Sequence, residues 1–60
     1  MALSDVERRV ILSQIEALDA RSQQLRAKME QGQELTEQER IELGSLADRI
    51  QALLARLERG

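Results

Sequence analysis

Cysteine, histidine, proline and every aromatic side chain are missing from the 60 residues, and glycine occurs only three times. Without cysteine there is no disulfide. Without cysteine or histidine the usual zinc and copper ligands are absent too, which leaves only carboxylates for a hard cation. A chain this short buries a modest share of its surface and commonly needs a disulfide, a metal or oligomerisation to hold a fold. Oligomerisation is the route left open.

The same absences bear on chemistry. General acid–base work would fall to Asp and Glu alone, and these need burial or mutual crowding to move their pKa values into a useful range. The Glu-x-x-His motif that turns helical bundles into di-iron enzymes cannot be written without histidine. The expectation is a protein with no catalytic residue, no cofactor, no bound metal and no small-molecule substrate.

Charge of one sign is also lacking. Eleven acidic and nine basic side chains are interspersed for a net charge of −2, a pattern of a mixed solvated surface and not of a nucleic-acid footprint. No basic leader opens the chain, and apolar runs such as Val10-Ile11-Leu12 are far shorter than a signal or membrane-spanning segment. A cytoplasmic location without a membrane partner is expected.

What is present is helix punctuation and helix periodicity. Ser4-Asp5-Val6-Glu7 and Thr36-Glu37-Gln38-Glu39 both fit the capping box, in which the hydroxyl accepts from the third amide and the Glu reaches back. Asp5, Glu7, Glu37 and Glu39 oppose the positive ends of the two helix dipoles. Gly32, between Gln31 and Gln33, is the stop, able to take the left-handed conformation that ends a helix. The spacing predicts helix 1 over about 5–31, a loop over about 32–36 and helix 2 over about 37–58, within a single domain covering 1–60.

Ile11, Ile15, Leu18, Ser22, Leu25 and Met29 recur at four-three-four-three-four spacing, and Leu43, Leu46, Ile50, Leu53 and Leu57 at three-four-three-four. A loop this short makes the helices antiparallel neighbours. The fold class expected is all-α, an antiparallel, coiled-coil-like two-helix hairpin whose two seams face each other. Ser22 is the one polar member and either fixes register or bonds back to its own helix.

Apolar residues remain beyond the seams. Leu3, Val6, Val10 and Ala17 form a second stripe on helix 1, and Ala47 and Leu54 widen the stripe of helix 2. Helix 1 is the longer, so Leu3 and Val6 are expected to run past the end of helix 2 without an intrachain partner. These six residues are the expected interface through which two hairpins make a homodimeric four-helix bundle. Ile41, Gly44, Ser45, Ala52 and Ala55 share another face, whose small residues allow close approach by a foreign protein. The alternative for that face is a solvated side chosen for helix propensity.

Charged clusters have two readings each. Glu34, Glu37, Glu39 and Glu42 gather at the loop end, where helix-start preference accounts for them and Arg21, Arg26 and Lys28 lie near enough to balance them. Nothing in their spacing resembles a calcium loop. Arg8, Arg9, Arg56 and Arg59 gather at the open end and are a candidate nucleic-acid patch, doubled in a dimer. Asp5, Glu7 and Glu58 are interleaved with them, Asp5 is placed to pair with Arg9, and no aromatic stacking platform exists.

The stretch Glu34-Leu35-Thr36-Glu37-Gln38-Glu39-Arg40, with Leu46-Ala47-Asp48, loosely resembles the cytoplasmic helix of the phage shock protein B family over less than a third of the chain. That family's membrane span has no counterpart here. The two-helix architecture is similar to that of the plasmid RNA-binding Rop family and the small hairpin co-chaperones of type III secretion, with no matching motif residues. Such likeness implies shape and transfers no site. The functions expected are a small homodimeric regulator, inhibitor or adaptor docking a helical face on a larger protein, a Rop-like RNA-binding bundle, or a secretion-type co-chaperone.

Overall fold

A computed structural model describes residues 2–60 as two helices, α1 over Asp5–Glu30 and α2 over Glu37–Arg59, packed against each other with no strand among the described residues. The hairpin measures 45 × 15 × 14 Å. Among the described residues no helix is long and apolar enough to cross a membrane.

Both helix starts are fixed by the chemistry expected of them. The Ser4 hydroxyl accepts from the Glu7 amide at 3.1 Å while the Glu7 carboxylate accepts from the Ser4 amide at 3.2 Å. At α2 the Thr36 hydroxyl accepts from the Glu39 amide at 3.1 Å and the Glu39 carboxylate from the Thr36 amide at 3.0 Å. Two of the amide donors that each helix start would otherwise leave open are thereby satisfied. The end of α1 is a Schellman motif: the Gly32 amide donates to the Met29 carbonyl and the Gln33 amide to the Lys28 carbonyl, both at 3.0 Å. Gly32 has φ +81°, the left-handed conformation that a side chain disfavours.

The core lies toward the loop. Leu25 is 0% exposed and packs with Leu35 and Leu46, with Leu18 and Leu43 against them. Ile11 is buried nearer the open end, and Ile15, Ile50, Leu53 and Leu57 are half-buried along the seam. Ser22 is buried among these aliphatics, and no buried side-chain polar atom among the described residues lacks a hydrogen-bond partner.

Two expectations are corrected, and one buried residue lies outside them. Met29 keeps the seam's period but is 47% exposed. In the antiparallel register that sets Leu25 beside Leu43, position 29 falls opposite Glu39, and Met29 lies at the edge of an open groove with Leu35 and Leu43 instead of in the seam. Leu35, outside both seams, is buried instead. Leu3 is not unpartnered: its amide donates to the Gly60 carbonyl at 3.1 Å and it is half-buried, because the chain leaves helical conformation at Ser4 and turns back over the end of α2. A β-carbon at Gly60 would collide with the Leu3 side chain. The two leucines are equivalent, each standing immediately before a capping box.

Candidate functional site: the two flanks of the hairpin

A residue one position before a seam residue lies about 100° to one side of it, and a residue one position after lies about 100° to the other. Antiparallel packing places the "before" sides of both helices on the same flank of the hairpin. Ala17, before Leu18, and Ala52, before Leu53, accordingly line one open groove of about 480 Å³ with Gln14 and Arg49. Val10, before Ile11, extends this flank and is 51% exposed. Val6, five residues before Ile11, turns past this flank to the back of α1 and is 69% exposed.

Ala47 follows Leu46, Leu54 follows Leu53, and Leu12 follows Ile11, so these three stand on the opposite flank. There Ala47 and Gly44 line a second groove of about 520 Å³ with Met29, Leu35, Arg40 and Leu43. Leu54 and Leu12 are exposed on the same side. The six residues expected to form one interface are therefore divided: Val10 and Ala17 on the first flank, Ala47 and Leu54 on the second, Val6 on the back of α1, and Leu3 against Gly60. A stripe on one helix shows which flank it joins only when each residue is placed before or after its seam neighbour in the antiparallel pair.

The face of Ile41 divides in a similar way. Ile41 itself is 67% exposed on the back of α2. Gly44 borders the second groove and Ala52 the first, while Ser45 and Ala55 are half-buried. Among the candidate bases, Arg56 and Arg59 line a shallow recess with Leu3 and Gly60 at the open end. Arg8 and Arg9 do not join them. Arg8, three residues before Ile11, falls on the flank of Leu12, and Arg9, seven residues before Glu16, on the outer edge of the same flank. All four are exposed, and Asp5 makes no ion pair with Arg9 among the described residues.

The loop-end charges are paired across the hairpin. Arg21 Nε and one terminal nitrogen donate to both carboxylate oxygens of Glu42 at 2.8 and 3.0 Å, a two-pronged geometry that suits guanidinium. Lys28 Nζ donates to Glu39 at 2.6 Å. The Lys28 ammonium, helped by the Thr36 amide, pulls the Glu39 carboxyl down to about 2, and Arg21 holds that of Glu42 below its ordinary value. Arg26 makes no ion pair among the described residues, and no group there of three or more acidic side chains is placed to hold a metal ion.

A pH dependence follows. Because the Glu39 pKa is lowered on folding from 4.5 to about 2, its interactions contribute fully above about pH 5 and are lost as the pH falls toward 2. Glu39→Gln keeps the cap's geometry, since Gln serves in a capping box. It is expected to flatten the fall in melting temperature between those limits, measured by circular dichroism. Equal acid slopes in the two proteins would show that the Lys28 pairing is silent in solution.

No family model, curated protein or solved structure matches the chain. What the hairpin can do is therefore argued from its own surface: two apolar flank grooves and exposed aliphatics on its back.

Proposed function

We propose that the hairpin is a small non-enzymatic interaction module that pairs with a second copy of itself through its flanks to make a four-helix assembly. In that state it acts as a regulator or adaptor by presenting a helical face to a larger protein. The observation that carries this reading is surplus surface. The chain exposes 4837 Å², whereas a compact monomer of 6.8 kDa exposes about 3,950 Å². The excess of about 900 Å² compares with the roughly 800 Å² that each partner gives up in a standard interface.

Val10, Leu12 and Leu54 are large aliphatics left exposed on the flanks. Ile41 points away from both seam and flanks, so pairing through the flanks leaves it open for a different protein. That separation supports a module with one surface for itself and another for its target.

Sedimentation velocity across the micromolar range tests the first half. The native protein is expected to associate, and Val10→Asp, which puts a carboxylate into the covered surface without a partner, to weaken association at least ~10-fold. A native chain that stays monomeric throughout that range would overturn the proposal.

A further inference from the structure

Resting on the self-association proposed above, we infer that the contact is heterologous: the flank carrying Arg49 and Arg56 docks on the opposite flank, carrying Glu16, Asp19 and Glu58, of the next copy. Each four-helix pair then keeps one free flank at either end, so the pair is the repeating contact of an open stack and does not close by a two-fold axis.

The inference comes from how charge is divided by the fold. Arg49 and Arg56 stand one position before the seam residues Ile50 and Leu57, on the flank of Ala17 and Ala52. The other bases of that flank, Arg21 and Lys28, lie toward the loop and are already paired with Glu42 and Glu39. Glu16, Asp19 and Glu58 each follow a seam residue, Ile15, Leu18 and Leu57, and so stand with Leu12 and Leu54. In the half of the hairpin away from the loop, the first flank carries Arg49 and Arg56, unpaired among the described residues, against Glu7, and the second carries Asp5, Glu16, Asp19 and Glu58 against Arg8 and Arg9, so the first is net basic and the second net acidic. Toward the loop, Glu30 sits among Arg26 and Arg40.

Each flank has apolar surface to bury, and the charges decide which flank meets which. A two-fold contact through the first flank would bring Arg49 and Arg56 of both copies together, and one through the second would oppose two net acidic surfaces. Like charges across an interface select strongly against it, while opposite charges favour encounter and set register. Docking unlike flanks leaves one of each kind free at the ends, so the contact repeats. The apolar groove floor then provides the burial, and the charged rim provides orientation.

The test uses two double variants at exposed positions, Arg49→Glu with Arg56→Glu and Glu16→Arg with Asp19→Arg, together with a salt series on the native chain. The native mass is expected to grow beyond two copies with concentration and to fall as salt rises. Each variant alone faces like charge with like and should associate at least ~10-fold more weakly than the native chain. Mixed in equal amounts, each flank of one variant meets an oppositely charged flank of the other, so association should return as a stack in which the two alternate.

If the Arg49/Arg56 variant associates as well as or better than the native chain, the contact is two-fold through that flank, and the heterologous docking falls while self-association stands. Native association indifferent to salt, or a mixture that forms no pair, also overturns the docking. A native chain monomeric at every concentration removes both.

Discussion

Truncating Leu25 to alanine is expected to leave the chain largely unfolded at room temperature. Leu25 is 0% exposed and sits at the centre of the cluster with Leu35 and Leu46. A buried Leu→Ala change costs about 2–5 kcal/mol, part for the lost transfer of the side chain and part for the cavity. A single core in a chain of this size rarely holds more than about 3–5 kcal/mol in total, so one substitution consumes most of it. Alanine is the best helix former, so any loss of helix would come from packing and not from propensity. Far-UV circular dichroism and a thermal melt, at a concentration where the native chain is folded, read the outcome. A variant that still melts cooperatively within a few degrees of the native protein would show that this cluster does not hold the hairpin together.

The parts of the fold legible in the sequence are those written in local chemistry. Ser4 with Glu7, Thr36 with Glu39, and Gly32 place the helix ends within a residue or so of where they stand, because each cap is satisfied by atoms three to five positions away. The seams were legible for the same reason, since Leu25, Leu43 and Leu46 follow a period set by the helix alone. What was not legible depends on the helices being side by side. Met29 obeys the period yet faces Glu39, and the space at that end is filled from the loop. Leu3 has a partner only because the chain turns back over Gly60.

The candidate surface was legible in its residues and not in its grouping. Val10 and Ala17 precede their seam neighbours, whereas Ala47 and Leu54 follow theirs. In an antiparallel pair that small difference puts them on opposite sides of the molecule. The order was present in the sequence, and reading each flank residue relative to its nearest seam residue would have found it. The same order disperses Arg8, Arg9, Arg56 and Arg59 around the open end, which weakens the case for a phosphate-binding face. It also leaves Arg49 and Arg56 opposed to Glu16, Asp19 and Glu58 across the thickness of the hairpin.

Leu35→Ala tests the part of the core that periodicity misses, and it is expected to cost about 2–3 kcal/mol. Substitutions in connecting loops ordinarily fall within about 0.5 kcal/mol, and Glu34→Ala next to it should do so. The difference arises because Leu35 is 8% exposed and closes the loop end over Leu25 and Leu46, though it belongs to neither helix. Its position immediately before the Thr36 cap aims it there: the extended backbone of the cap turns the preceding side chain away from the axis of α2 and toward α1. Removing it should admit water to that end of the seam, so amide exchange in the first turns of α2 is expected to quicken more than exchange around Ile11. Urea or thermal melts of both variants give the stabilities. If Leu35→Ala and Glu34→Ala prove equally mild, the loop leucine is ornamental, and the core reduces to the contacts that helix α1 makes with helix α2 alone.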